Sequence, residues 1–284
     1  MSTSAGVSPA DSPDGHDGRG AGDGPLLELK GITKSFGPVR ALSDVDLDVQ
    51  AGKVTALVGD NGAGKSSLIK TVSGLWGPDH GEILWEGQPV HLHGPRAAEA
   101  LGITTIYQDL ALCENLDIVQ NMFLGHEPLL SGLLDEAKME TAARQTLREL
   151  NVTTVRSIRQ PVASLSGGQR QSVAVAKAVM SRAQLVIMDE PTAALGVAQT
   201  RMVLDLIKTL SGRGVAVLVI SHNLNDVFEV ADRIACLYLG RLAVEGPAKA
   251  FDSLNLVEYM TTGTATHPID QSAGSATASR EAQS

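Results

Sequence analysis

The stretch that decides the fold reads Val54-Thr55-Ala56-Leu57-Val58-Gly59-Asp60-Asn61-Gly62-Ala63-Gly64-Lys65-Ser66. Residues 54–58 are a short apolar run, which predicts a buried strand, and residues 67–73 after the loop follow a helical pattern. The glycines let the backbone wrap around phosphate oxygens, so that amides and the helix N-terminus face the anion. Lys65 would reach the β- and γ-phosphates, and the Ser66 hydroxyl would face Mg²⁺. We therefore predict a phosphate-binding loop, with an ordinary glycine-rich turn as the alternative.

The rest of the chain predicts an α/β fold with two further subdomains. Short apolar runs beside helical patterns predict a parallel, helix-covered sheet, and they lie at residues 54–58, 103–107, 185–188, 215–220 and 234–237. Alternating segments predict an antiparallel β-subdomain with turns at Gly37-Pro38 and Gly87–Pro89, and they lie at residues 26–32, 41–49 and 81–92. Residues from about 115 to 180 predict an inserted helical subdomain, since 136–150 and 169–179 have helical spacing.

Composition limits the possible functions. The chain has 284 residues, of which 43% are hydrophobic, enough for one substantial core. Its net charge of -9 and pI of about 5.2 argue against nucleic acid as a partner. Cys113 and Cys236 form no disulfide or zinc pattern, and no apolar run reaches the roughly 18 residues of a membrane span. Polar termini, 1–25 and 261–284, predict disordered tails around one domain at 26–260.

Two carboxylates end a second apolar run, in Leu185-Val186-Ile187-Met188-Asp189-Glu190. Ligands of open α/β sheets bind at the carboxyl ends of the strands. Asp189 suits the shell of Mg²⁺, and Glu190 is then free to orient or deprotonate an attacking water. A solvated acidic pair at the end of a strand is the alternative.

A second glycine motif reads Leu165-Ser166-Gly167-Gly168-Gln169 and precedes the helical run at 169–179. It predicts another helix N-terminus that faces an anion, or else a simple capped helix after a turn. In this order the motifs resemble those of the ABC ATPase family, whose signature reads LSGGQ, over roughly Leu26 to Met260. The resemblance implies a RecA-like P-loop core. It also implies a homodimer in which the signature of one subunit closes over ATP held by the Walker A loop of the other.

Further site residues follow from that resemblance. It implies that Phe36 stacks on adenine, that Gln108 senses Mg²⁺ and the γ-phosphate beside the permease contact, and that His222 is the switch histidine. The alternatives are a core residue at a strand end for Phe36, a polar loop residue for Gln108 and a structural histidine for His222. The expected catalytic residues are Glu190, His222, Gln108 and Lys65. The expected metal ligands are Ser66, Gln108 and Asp189. The expected ATP-binding residues are Phe36, Gly59, Asp60, Asn61, Gly62, Ala63, Gly64, Lys65, Ser66, Ser67, Gln108, Asp189, Ser166, Gly167, Gly168 and Gln169.

Residues 107–110, 115–125 and 191–196 resemble the ATPases of bacterial simple-sugar importers, the ribose, xylose and fructose group. The single set of motifs resembles the members with one ATPase domain. The resemblance implies a peripheral subunit on the cytoplasmic face of the membrane, with permease subunits and, indirectly, a sugar-binding protein as partners. Importers or exporters of other solutes and soluble ABC ATPases of DNA repair or ribosomes are alternatives. A P-loop kinase or regulatory module is an alternative from another class, against which the signature motif argues.

One position departs from the family pattern. Gly196 stands where the family D-loop carries aspartate. Two readings are open: the missing side chain weakens coupling between the two sites of the dimer, or the glycine only caps the helix that starts at Val197.

Overall fold

The computed structural model describes residues 24–267 and 269. Its strands, in chain order, are β1 (Leu27–Phe36), β2 (Val39–Val49), β3 (Val54–Val58), β4 (His80–Trp85), β5 (Gln88–Val90), β6 (Ile103–Ile106), β7 (Leu129–Leu130), β8 (Leu133–Leu134), β9 (Leu185–Asp189), β10 (Ala216–Ile220), β11 (Arg233–Tyr238) and β12 (Arg241–Pro247). Its α-helices are α1 (Lys65–Val72), α2 (Pro95–Ala100), α3 (Ile118–Phe123), α4 (Glu136–Glu149), α5 (Gly167–Met180), α6 (Val197–Gly212), α7 (Leu224–Val230) and α8 (Ser253–Thr262).

The main sheet has six strands in the order β12-β11-β3-β10-β9-β6. All five predicted buried strands are in it, and they pair in parallel. Every residue of β3 and β10 is buried, because helices and the second sheet cover both faces. The carboxyl ends of β3, β10, β9 and β6 therefore meet at one edge of the sheet, where ligands of α/β folds bind.

The antiparallel sheet, in the order β2-β1-β4-β5, is also confirmed. Gly37, at φ 56°, turns the chain between β1 and β2 as expected. The second predicted turn is shifted, since Glu86 and Gly87 adopt positive φ and join β4 to β5. Pro89 lies inside β5 instead, at the edge of the sheet, where the missing N–H of proline is tolerated.

The helical subdomain contains α3, α4 and α5, but residues 129–134 within it are not helical. Leu129–Leu130 and Leu133–Leu134 pair as a hairpin around Ser131 and Gly132, both at positive φ, as a two-residue primed turn requires. All four leucines are more than half exposed. The predicted helical subdomain therefore also contains a short hairpin, because Ser131 and Gly132 form a tight turn where the apolar pattern alone gives no strand signal.

The C-terminal part adds an edge strand and a helix. β12, which the sequence pattern did not predict, returns antiparallel to β11 through the turn Leu239-Gly240. Helix α8 continues two residues past residue 260, and the Glu258 carboxylate then accepts a 2.7 Å bond from the Thr266 amide. Most residues of the two predicted tails lie outside the described residues. None of the helices in the described part of the chain is long and apolar enough to cross a membrane.

Candidate active site

The predicted phosphate loop joins β3 to α1 and lines a cleft of about 590 Å³ at the carboxyl edge of the main sheet. Residues 61–67 form one wall of this cleft. It is also lined by Asp189, the last residue of β9, by Glu190, which follows that strand, and by Gln108, after β6. The fold thus brings together side chains that are far apart in the sequence, because neighbouring parallel strands end at the same edge.

Two glycines of the loop are required by close packing. Gly59 has φ 150°, and a Cβ there would collide with the carbonyl oxygen of Leu237. Gly64 has φ 107°, and a Cβ there would lie 2.7 Å from the carbonyl oxygen of Ala41. The loop is therefore held against β11 and β2, so any other residue at either position would displace it.

The Lys65 ammonium lies over the loop. Its Nζ donates to the carbonyl oxygen of Gly59 at 2.7 Å and to that of Asp60 at 3.0 Å. A cation held at the centre of the loop is placed to receive phosphate oxygens, which would compete for the same hydrogen-bond donors.

The Asp189 carboxylate lies in a partly buried environment. Burial, followed by the negative charge of Glu190, raises the pKa of Asp189, while Lys65 and Lys70 act in the opposite direction. A divalent cation beside Asp189 would offset that desolvation. Ser66, Gln108 and Asp189 all carry oxygen donors and line the same cleft, a donor set that suits Mg²⁺ with several waters retained. These residues could therefore hold the metal.

Glu190 is held in an uncommon backbone conformation. Its φ is 50°, and its amide donates a 2.9 Å bond to the carbonyl oxygen of Ile220 at the end of β10. Such left-handed residues are rare outside glycine and are found at functional sites. The side chain points to the neighbouring strand end, where Glu190 Oε1 lies 2.8 Å from His222 Nδ1. The two residues proposed for water activation and γ-phosphate contact are therefore in direct contact.

The signature motif caps α5. Ser166 and Gln169 form a reciprocal pair, with Ser166 N donating to Gln169 Oε1 at 2.9 Å and Gln169 N donating to Ser166 Oγ at 3.4 Å. Leu195 lies so close to Gly167 that a Cβ there would be 2.6 Å from its Cδ2. No signature residue is among the residues that line the phosphate cleft. Within one subunit the motif thus faces elsewhere.

Gly196 begins α6 in an extended conformation, with φ -75° and ψ 162°. Its carbonyl oxygen accepts bonds from the amides of Gln199 and Thr200, each at 2.9 Å. A Cβ at Gly196 would meet nothing within 4 Å. The position is a helix cap that an aspartate can occupy without backbone strain.

If the missing side chain weakens coupling between the two sites of the dimer, Gly196→Asp should raise the Hill coefficient of ATP hydrolysis by the isolated protein, because a carboxylate would supply a polar contact between the sites. Aspartate also caps helices well, so the melting temperature should be unchanged or higher. ATPase titrations and thermal melts of Gly196→Asp and a Gly196→Ala control measure both effects. A Hill coefficient equal to that of the parent protein would mean that the glycine is a cap and nothing more.

Phe36 lies at the end of β1 and is 40% exposed. It is not among the cleft-lining residues, but its hairpin partner Val39 is. Leu239, in the turn between β11 and β12, lines the cleft too, and the side chains of Val39 and Leu239 are 63% and 70% exposed. The sequence analysis did not predict Val39 or Leu239 as residues of the cleft. The turn at Leu239-Gly240, just after the strand predicted at 234–237, was a signal for Leu239.

Comparisons with known sequences agree with one another. A family model described as ABC transporter matches residues 42–193. The chain is 49% identical over 245 residues to the fructose import ATP-binding protein of Rhizobium meliloti, covering 84% of this chain and 94% of that protein. It is 44% identical over 236 residues to the xylose/arabinose import ATP-binding protein of Sulfolobus acidocaldarius, covering 83% and 94%. It is 45% identical over 218 residues to a ribose import ATP-binding protein of Rubrobacter xylanophilus, covering 77% of this chain but 43% of that protein.

Solved structures give the same fold. A nucleotide-free ATP-binding cassette of an ABC transporter matches with a TM-score of 0.69 at 25% identity, covering 78% of this chain and 91% of that chain. A cassette in its ADP conformation matches with a TM-score of 0.72 at 24% identity, covering 84% and 95%. A dimeric bacterial cassette matches with a TM-score of 0.66 at 24% identity, covering 80% and 100%. The predicted core with its two subdomains is confirmed.

Proposed function

We propose that this chain, which belongs to the ABC transporter family, energises the uptake of a simple sugar through a membrane permease. The chain is an ABC-type ATPase. The observation that carries the sugar proposal is the 49% identity to a fructose import ATP-binding protein along 94% of that protein's length. Two further relatives are named for the import of xylose or arabinose and of ribose, so the shared substrate class is a simple sugar.

In this proposal the phosphates of ATP lie in the cleft of residues 61–67, with Lys65 facing the β- and γ-phosphates. Mg²⁺, held by Ser66, Gln108 and Asp189, would neutralise charge that develops on the phosphate oxygens. Glu190 orients the attacking water and accepts its proton.

His222 contacts the γ-phosphate and, through its 2.8 Å contact with Glu190, fixes the carboxylate against the water. The pair lies at the ends of β9 and β10, which are hydrogen-bonded along their length. The relative position of base and histidine is thereby set by the sheet rather than by a mobile loop.

A homodimer supplies the missing wall of each site. The cleft contains the phosphate loop and the carboxylates but no signature residue, so one subunit builds half of a site. Two copies placed head to tail would bring Ser166, Gly167, Gly168 and Gln169 of each over the nucleotide of the other. The N-terminus of α5 would then face the phosphates.

Permease subunits and, indirectly, a sugar-binding protein are the proposed partners, with this chain peripheral on the cytoplasmic face of the membrane. Gln108 is the residue proposed to transmit nucleotide occupancy to the permease. It follows β6, lines the nucleotide cleft and precedes the helical subdomain. Occupancy by the γ-phosphate can move the segment that follows it.

Gln108→Ala is expected to reduce sugar transport more than it reduces basal ATP hydrolysis by the isolated protein. The physical reason is that the amide relays nucleotide occupancy to the partner, while Lys65 and Glu190 still support hydrolysis. Transport in cells and hydrolysis by purified protein, each relative to the parent, measure the two losses. Proportional losses in both assays would make Gln108 an ordinary catalytic-site residue.

Growth tests the proposed substrate class. We expect a strain that lacks this gene to lose growth on one of fructose, xylose, arabinose or ribose as sole carbon source. The parent gene should restore growth, and a Glu190→Gln gene should not. Normal growth on all four sugars, together with a growth defect on another solute, would assign the chain to a different importer. A defect in export of a solute, or one unrelated to transport, would reject the import proposal.

A further inference from the structure

Phe36 has a partner that no motif includes. The rings of Phe36 and Trp76 form what we term the aromatic corner, with centroids 4.5 Å apart and planes inclined by 65°. That geometry is edge-to-face, the arrangement that the ring quadrupoles favour. Trp76 is half-buried and lies in the connection between α1 and β4. One side of Phe36 is thus fixed by Trp76, while the ring keeps 40% of its surface exposed.

The connection that carries Trp76 is fastened to the end of β1. The Asp79 carboxylate accepts a 2.7 Å bond from the Ser35 amide and a 2.8 Å bond from Lys34 Nζ. The Asp79 amide donates a 2.8 Å bond to the carbonyl oxygen of Thr33. These bonds fix the register between the two segments, so the contact between Phe36 and Trp76 does not depend on the rings alone.

The other side of the aromatic corner reaches the helix of the phosphate loop. Lys70 Nζ lies 4.7 Å from the centroid of the Trp76 ring, a cation–π contact. The Trp76 amide also donates a 3.0 Å bond to the carbonyl oxygen of Lys70. Lys70 lies in the last turn of α1, whose first residue is Lys65. Trp76 therefore contacts both the strand end that carries Phe36 and the helix that begins at the phosphate loop.

We propose that Trp76 is a positioning residue for the nucleotide base: it holds Phe36 in the orientation that stacks on adenine and sets its distance from the phosphate loop. The inference rests on the proposed role of Phe36 in ATP binding. Without Trp76 the Phe36 ring would be free to take other rotamers, and base binding would have to restrict it again. Affinity for the phosphates alone would not change, because Gly59, Gly64 and Lys65 are held by other contacts.

The test compares two ligands, a non-hydrolysable ATP analogue and tripolyphosphate, both with Mg²⁺, by calorimetry. Trp76→Leu should weaken binding of the ATP analogue about 2- to 12-fold, the cost of immobilising one side chain on binding. Its affinity for tripolyphosphate, which has no base, should stay within about twofold of the parent. Trp76→Phe, which restores an aromatic edge, should bind the analogue nearly as well as the parent. Trp85→Phe is the matched control, since Trp85 is buried in β4 away from the cleft.

The outcomes separate this inference from the proposal on which it rests. If Phe36→Ala weakens binding of the ATP analogue and Trp76→Leu does not, the proposed role of Trp76 is overturned and that of Phe36 is kept. If neither change affects the analogue, adenine stacking on Phe36 is itself wrong. Equal losses for both ligands in Trp76→Leu would mean that Trp76 supports the phosphate loop through α1, which also overturns the inference.

Fluorescence provides a second readout, in a variant that keeps both Trp76 and Phe36. The chain has two tryptophans, so Trp85→Phe leaves Trp76 as the single reporter. Binding of the ATP analogue should change its emission, because the base stacks on the ring that Trp76 contacts. Tripolyphosphate should change it little. Equal changes with both ligands would contradict a link to the base.

Discussion

Glu190→Gln is expected to bind ATP as the parent protein does and to hydrolyse it about 10²- to 10⁴-fold more slowly, the usual loss when a general base is removed. The amide keeps the shape of the carboxylate but cannot accept the proton of the attacking water. The left-handed backbone at this position is held by the bond from the Glu190 amide to Ile220, which the substitution does not touch. The variant should therefore accumulate as an ATP-bound dimer, which size-exclusion chromatography with and without ATP measures.

The contact with His222 makes a matched comparison possible. His222→Ala removes the other member of the 2.8 Å pair but leaves the carboxylate, so some turnover should remain. The double variant should be no slower than Glu190→Gln alone, because the two side chains act on one step. Turnover near the parent rate in Glu190→Gln would remove this residue from the catalytic role.

Lys65→Ala is expected to weaken ATP binding about 10- to 150-fold, the range for loss of charge-assisted hydrogen bonds to a phosphate. The ammonium lies over the loop, bound to the carbonyl oxygens of Gly59 and Asp60, so its removal takes away the local positive charge. Calorimetry with MgATP measures the effect. Lys53→Ala is the matched control, because Lys53 is exposed and outside the cleft. Unchanged affinity in Lys65→Ala would contradict the assignment of the loop.

The main sheet could be predicted from the sequence because its signals are local. Apolar runs such as Val54–Val58 form buried strands, and the run of glycines after β3 marks the loop by residue type alone. The packing of Gly59 and Gly64 against Leu237 and Ala41 is not local and could not be predicted. The hairpin at residues 129–134 was missed because its leucines fit a helix equally well, and only Ser131-Gly132 distinguishes the two. β12 was missed for the opposite reason, since its pattern is weak and its pairing with β11 determines its conformation.

The candidate site was predicted as a set of residues but not as an arrangement. Motif order indicated that Asp189, Glu190, Gln108 and the loop belong together, and the structure places them around one cleft. The contact between Glu190 and His222 joins residues 32 positions apart and depends on the adjacency of β9 and β10. Contact between Phe36 and Trp76 likewise depends on how a connecting loop folds, which no periodicity reports. Ligand roles of these residues stay predictions.

The separation of the phosphate loop from the signature motif has a genetic consequence. Because the cleft of one subunit holds no signature residue, the proposed dimer would split each catalytic unit between two polypeptides. Lys65→Ala, a loss-of-function allele in the loop, would damage one half of the catalytic unit. Ser166→Arg, an allele in the signature motif, would damage the other half. Expressed together, the two alleles should complement each other, since a mixed dimer pairs the intact loop of one chain with the intact signature of the other. Two loop alleles should fail to complement.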